Sequence, residues 1–333
     1  MFEGEYLDGK RNGQGKEYYI DIDGEYLKFE GDYLNGKRWN GNGIDVHGYI
    51  EYELINGKGK VKEYNDSGDL IFEGQYLNGE RNGQGKEYNE NGLIFEGDYL
   101  NNKRWNGKGY DYSKNLEYEL KDGKGKVIEY HDNKELKFIG EYLNGERNGK
   151  GEDFNECGRL EFEGEYLYGE RNGKGKEYYF GRLIFEGEYL NGKRIGHGKE
   201  YNKNEKLCFE GDYLYGFRMK GIEYKNNRKE YEGDYHYNKK WNGKIYDENG
   251  KVINILNNGE GKLKEYNDDN ELIYEGEYLN GKRNGKGKEY TENKLIFEGE
   301  YKNGERLNGK EYCYEGDKLL LFAEYINGKK YKK

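Results

Sequence analysis

Nucleophilic catalysis needs a hydroxyl or thiol beside a positioned base. The only side-chain hydroxyls outside tyrosine are Ser67, Ser113 and Thr291, all expected in turns, which leaves nothing on which to build a serine triad. The four histidines, His47, His131, His197 and His236, fall in separate stretches without metal-ligand spacing. His197, in "RIGHGKE", stands where other copies of its segment carry Lys or Gln, and reads as an exposed strand residue. Carboxylates are plentiful, but Glu73, Glu96 and Glu186 recur in matching places along the chain. Acid–base pairs need two different environments to separate their pKa values, and repetition supplies one environment many times. These glutamates read as solvated cross-strand partners of Lys. Cys157, Cys208 and Cys313 are odd in number, far apart and in no C-x-x-C arrangement, which fits a reducing compartment and neither a disulfide framework nor a zinc site. Matches to G-x-G-x-x-G are inevitable with 54 glycines, and none opens a helix as a phosphate loop must. The expectation is a chain with no catalytic residue, no metal and no cofactor.

The residues that break the pattern are the tryptophans. "GKRWNGNG" (36–43) stands where the chain elsewhere writes "GKRNGQG" (9–15), so Trp39 reads as one large residue inserted into a unit that does without it. Trp105 and Trp241 repeat the insertion, and Leu307 in "ERLNGK" occupies the fourth such place. One extra strand residue makes a bulge and re-aims a side chain. Either these four plug a gap made by the truncated unit that follows each, or they form a row of partner-binding anchors, since exposed Trp in a polar setting is typical of interface hot spots.

The elements that must position them come from repetition. The pattern aromatic-x-Gly-acidic/Gln-Tyr begins at Phe2, Phe29, Phe72, Phe95, Phe138, Phe162, Phe185, Phe209, Tyr231, Tyr274 and Phe297, at intervals mostly of 22 to 24 residues. Three intervals of 43 each hold a second, degenerate unit, so about fifteen units fill residues 1–333, with a three-unit super-repeat starting near 29, 95, 162, 231 and 297. In "LIFEGQYLNGERNGQGKEYNENG" (70–92), two alternating runs are joined by Asn78-Gly79, a tight-turn signal, which predicts a β-meander. A two-residue turn there sets Phe72 across from Gly85, Gly74 from Gly83 and Glu73 from Gln84. The Phe72 ring would then cover backbone that Gly83 and Gly85 leave bare, with Tyr76 completing the repeat-defining set. Two strands per unit make roughly thirty, or on the order of 140 Å of sheet at about 4.8 Å each. The expected fold class is all-β, an elongated single-layer antiparallel meander of β-hairpin repeats.

Composition agrees with a folded chain. Hydrophobic residues are 33% and charged residues 37%, a balance that would suggest disorder were aromatics not 16%. Proline is absent and Asn, Lys, Tyr, Ile and Glu dominate, as an AT-rich genome would write.

The segments "FEGEYLNGK" and "GKRNGKGKEY" together resemble a MORN (membrane occupation and recognition nexus) repeat, and the resemblance extends over essentially the whole chain. Its Asn/Lys/Tyr-rich flavour is similar to arrays of AT-rich protists and of large DNA viruses of amoebae. It departs from the family pattern in Tyr at the second aromatic, in Asn before the Gly-x-Gly, and in the inserted residue. The resemblance implies a sheet used as a scaffold or attachment module, frequently dimeric.

The net charge of −10, with both signs interleaved, offers no basic face for phosphates, so nucleic acid is not an expected partner and a membrane is disfavoured. The N-terminus lacks the regions of a signal peptide, and no apolar run approaches the length of a membrane span. A cytoplasmic location is expected, in host cytoplasm or virion if viral. Terminal strands without caps invite pairing with another copy or another structural protein. The expected function is a non-enzymatic scaffold or connector, as in a virion shell or cytoskeletal structure; the alternative is a peripheral membrane or lipid attachment module.

Overall fold

A computed structural model describes residues 1–21, 24–65, 67–267, 271–315 and 318–332. Thirty strands and no helix occur among the described residues, in four sheets of five, six, twelve and seven strands; every resolved pairing is antiparallel, and within each sheet strands adjacent in sequence are neighbours. The chain falls into two compact units, residues 1–170 and 171–333.

The hairpins form because most tight turns are written in Asn and Gly, residues that accept positive φ. Asn78 (φ 55°) and Gly79 (φ 73°) make a two-residue type I′ turn with Leu77 paired to Glu80, as expected. Beyond the turn the register differs from the sequence-based one by two residues. Tyr76 pairs with Arg81, but Gly74 pairs with Gly85, Glu73 with Lys86 and Phe72 with Glu87. The cause is a bulge: Asn82, Gly83 and Gln84 oppose Gln75 alone, with Gly83 held at φ 89° by the kink. Of the two glycines expected under Phe72 only Gly85 is there: the ring lies over Gly74 and Gly85, while Gly83 faces Gln75.

The core is an aromatic row on one face. Phe29, Phe72, Phe95, Phe138, Phe162, Phe185, Phe209, Tyr231, Tyr274 and Phe297 are all fully buried. Each meets the Tyr of its own or the next unit edge-on; Phe72–Tyr99 and Phe95–Tyr99 have centroids 5.1 and 5.6 Å apart. Edge-to-face contact adds to area burial, and one layer of rings thereby does the work of a conventional core. Across the opposite face run polar pairs such as Lys16–Glu30 at 2.8 Å and Tyr88–Glu73 at 2.8 Å.

Over the rings lies an ionic ladder. Arg81 stacks on Phe72 at 4.2 Å and binds Glu63 with Nε and Nη2, both at 2.8 Å. Arg104 donates to Glu87 at 2.9 Å, and Tyr99 donates to the same carboxylate at 3.0 Å. Arg194, Arg218, Arg283 and Arg306 repeat the arrangement in the second unit. Burial pushes the Glu87 carboxyl up, but Arg104 and Arg81 more than offset it and hold it below the usual carboxylate range.

The meander is interrupted three times. In backbone pairing, strands Ile50–Leu54 and Gly59–Tyr64 share only the bridge Ile55–Lys58, strands Leu116–Leu120 and Gly125–Tyr130 only Lys121–Lys124, and strands Val252–Leu256 and Gly261–Tyr266 only Asn257–Glu260. These creases are the degenerate units. Aliphatic side chains enter the core there, with Leu54, Val61, Leu120, Val127 and Leu256 buried, beside the rings of Tyr52 and Tyr118 in the first two. Each of the three follows a tryptophan unit, whereas after Leu307 the next two strands pair normally.

Candidate functional site

The central glycine pair gives a structural ruler for the tryptophans. In the Phe72 unit that pair is Gly74–Gly85, three residues beyond Arg81 having looped out. In the Phe29 unit it is Gly31–Gly41, and only Trp39 is looped out, since Asn40 pairs with Asp32 and Arg38 with Tyr33. The tryptophan units are therefore one residue shorter between the cation and the glycine, and Trp39 is not an insertion. It is the single bulge residue left when the Asn-Gly kink is deleted. Trp105, Trp241 and Leu307 occupy the same bulge. So does Met219, which sequence reasoning missed, although "RMKG" (218–221) has the spacing of "RWNG".

At this place the backbone carbonyl has a fixed task. Gly57, Gly123, Gly259 and Gly328 donate their N–H groups to the carbonyls of Trp39 (2.6 Å), Trp105 (2.7 Å), Trp241 (2.8 Å) and Leu307 (2.8 Å), tying each following turn down. The Trp39 and Trp241 rings lie on Gly57 and Gly259, where an added Cβ would come within 2.9 Å of the indole. All three tryptophans and Leu307 are half-buried. Trp39→Ala is expected to destabilise the chain by about 1–2 kcal/mol, roughly half the range for a fully buried aromatic. Urea unfolding checks this, and a loss under about 0.5 kcal/mol would remove the packing role.

The other sequence candidates are dispersed. Phe72, Gly74, Tyr76, Gly83 and Gly85 converge on one hairpin as its structural set. Ser67 and Ser113 lie in turns capped by Asn65 and Asp111, while Thr291 ends a strand, paired with Lys294, and is not in a turn. His197 is exposed between Glu210 and Asp212 at 3.4 and 3.3 Å. Burial pushes the Cys208 thiol up to about 11, away from thiolate chemistry. No group of three potential metal ligands occurs among the described residues.

What the structure brings together instead is a cluster on the turn edge of the second unit. Tyr215 and Tyr237 occupy the first position of type I′ turns at φ 50° and 49°, in "YLYGF" and "YHYNK", where most other hairpins carry Asn. Beside them Phe217 meets Tyr237 at 5.5 Å, and His236 meets Tyr237 at 4.7 Å and Trp241 at 5.0 Å. Tyr215 is 59%, Phe217 41%, Met219 42% and Tyr237 68% exposed, so these apolar groups face solvent while two of them sit in a backbone region that bulky residues avoid. Tyr168 shows the same choice in the first unit, at φ 52°. The signal available in sequence was an aromatic at the turn position that most hairpins give to Asn, with Tyr215 before Gly216 and Tyr237 before Asn238.

Among solved structures the chain is similar to TcdB2-TccC3 without its hypervariable C-terminal region, at 9% identity and a TM-score of 0.20, covering 92% of this chain and 17% of that one. It is also similar to the Photorhabdus luminescens Tc holotoxin pore carrying TccC3-D651A, at 12% identity and a TM-score of 0.15, covering 90% and 17%. The chain spans less than a fifth of their length, and scores this low carry no structural or functional conclusion. No curated protein matches the chain. The MORN repeat model matches residues 2–21, 72–94, 138–152, 162–180, 185–204 and 274–294. Those are the units with three residues between the arginine and the central glycine; the units of Trp39, Trp105, Met219, Trp241 and Leu307 are all outside the matches. The chain is a MORN-repeat protein, with six units of the family pattern interleaved with a shortened form of the same hairpin.

Proposed function

We propose that this chain is a non-enzymatic scaffold that joins protein chains, itself included, through the turn edge of its second unit. The observation that carries the reading is the aromatic pair Tyr215 and Tyr237. A bulky residue in the left-handed region costs roughly 1–2 kcal/mol, which Asn largely avoids. These tyrosines are exposed, so the fold recovers little of that cost by packing them. Strain kept at an exposed site points to use by a partner, and Tyr, Trp and Met are the side chains that interface centres favour. MORN repeats suggest modules for protein–protein or for membrane and lipid interaction, and the first of these is the class proposed here.

Replacing both residues, Tyr215→Asn and Tyr237→Asn, is expected to move two properties in opposite directions. Stability rises by about 1 kcal/mol per site, read from urea unfolding, and self-association measured by sedimentation equilibrium of the full chain weakens. A wild-type chain that stays monomeric at every concentration, with a variant indistinguishable from it, would sink the proposal.

A further inference from the structure

We propose that the third crease, in the second unit, is a binding site for an extended acidic peptide, one carboxylate of which is held by Lys264 and Tyr266. It is distinct from the turn-edge cluster and does not rest on that reading. The three creases are internal copies of one another, so they can be compared position by position. In the first, Glu51 reaches across the interruption and accepts hydrogen bonds from Lys62 Nζ at 2.6 Å and Tyr64 OH at 2.7 Å. In the second, Glu117 accepts one from Tyr130. The third keeps the donors, Lys264 and Tyr266, but has Ile253 where the acid should be.

Related changes accompany it. The rings of Tyr52 and Tyr118, which fill the earlier creases over Gly43 and Gly109, are replaced by Asn254, paired opposite Ile245. The arginines that bind those tyrosine hydroxyls at 2.6 and 2.7 Å give way to Lys240, which turns to Glu223 instead. Asn254 Nδ2 donates to the Lys262 carbonyl at 2.9 Å and closes the base of the crease. Above it lies a cleft of about 1170 Å³, lined by Lys264, Tyr266, Ile253 and Leu263 among others.

The Lys264 ammonium is left with a long ion pair to Glu275 at 3.6 Å, and no hydrogen bond is formed by the Tyr266 hydroxyl among the described residues. The lining carries nine cationic and seven acidic side chains, a local sign opposite to the −10 of the chain. A five-residue extended segment, about 17 Å long, 4.8 Å wide and 10 Å deep, needs on the order of 800 Å³. The cleft therefore accommodates one, with a carboxylate restored to the vacant place and an apolar neighbour against Ile253 and Leu263.

The probe is the chain's own first-crease sequence, the peptide of residues 49–55 (YIEYELI), titrated into the full-length protein by fluorescence anisotropy. Binding is expected, and the peptide carrying Glu51→Gln and Glu53→Gln should bind about tenfold more weakly or worse. Ile253→Glu in the protein returns the acid found in the other two creases, so it should keep the fold and weaken peptide binding by a similar factor. Lys264→Ala should do the same without supplying a competitor. No binding, equal binding of the glutamine peptide, or unchanged binding to Ile253→Glu would each overturn the site. Glutarate binding as tightly as the peptide would overturn the peptide and leave a small-carboxylate site in its place.

Discussion

Glu87→Gln is expected to lower stability by about 3 kcal/mol, although it changes one oxygen into an amide. The carboxylate lies between two guanidinium groups, with Arg104 Nε at 2.9 Å and Arg81 Nη1 at 4.0 Å. Arg81 keeps Glu63 when the charge is removed, but Arg104 keeps only the neutral Tyr118 hydroxyl at 2.7 Å. Removing one partner of a buried pair leaves the other charge uncompensated, which costs about 3–5 kcal/mol. Both side chains here retain roughly a fifth of their exposure, 21% and 23%, so the lower end applies. Chemical denaturation measures the loss; a change below about 1 kcal/mol, the ceiling for a surface pair, would mean the ladder is solvated decoration.

The same ladder sets an acid limit. The carboxyls of Glu17, Glu87, Glu129, Glu177 and Glu223 are all held below the ordinary range, burial raising each and the neighbouring cations more than reversing it. A carboxyl depressed in the folded state contributes stability that is present above its unfolded pKa and lost as pH falls through the folded value. Stability should therefore hold down to about pH 5 and fall steeply below about pH 4. Glu230 acts with the opposite sign, burial pushing its carboxyl up, and takes a small amount back near neutrality. With Glu87→Gln the acid slope between pH 5 and 3 becomes shallower, since one of the titrating groups is gone.

The repeat and its turn were legible in sequence because both depend on residue types with few alternatives. Asn-Gly is the common way to write a type I′ turn, and the buried aromatic beside Gly-x-Tyr recurs often enough to mark each strand. The register was not legible, because Asn82-Gly83 can belong to a loop or to a bulge, and only the facing strand decides. That ambiguity also disguised Trp39 as an insertion. Counting from the turn makes the tryptophan unit look longer, whereas counting from the Gly31–Gly41 pair shows it shorter. The creases were visible as degenerate units but not as interruptions of hydrogen bonding, since a short strand such as Ile50–Leu54 carries no mark of what it fails to pair with. The turn-edge cluster is spread over residues 215–241, and only stacking of successive turns makes it one surface.

Gly97→Ala tests that ruler and is expected to be the most damaging single change, with a loss of at least about 4 kcal/mol. Gly97 pairs with Gly107 in the strand opposite, under the Phe95 ring. A methyl group there would meet the Asn106 carbonyl oxygen and come to 2.5 Å from the Gly107 Cα. Both are backbone atoms of a paired strand, so no rotamer change relieves the clash and the hairpin must separate. The position is harsher than its counterpart Gly74, where the nearest atom is Phe72 Cζ at 2.6 Å and the facing Gln84 carbonyl oxygen is 2.8 Å away, because the shortened bulge at Trp105 brings the facing backbone closer. Gly74→Ala should accordingly cost less, about 2–3 kcal/mol by displacement of a packed ring. Gly92, at φ 118° with no atom within 4 Å, serves as the backbone-only control; its replacement by Ala meets no atom and costs only the conformational strain, about 1–2 kcal/mol. The expected order of unfolding midpoints is Gly92→Ala above Gly74→Ala above Gly97→Ala. If Gly97→Ala matched Gly74→Ala, the tryptophan hairpins would not be the tighter class, and the shortened bulge would lose its structural meaning.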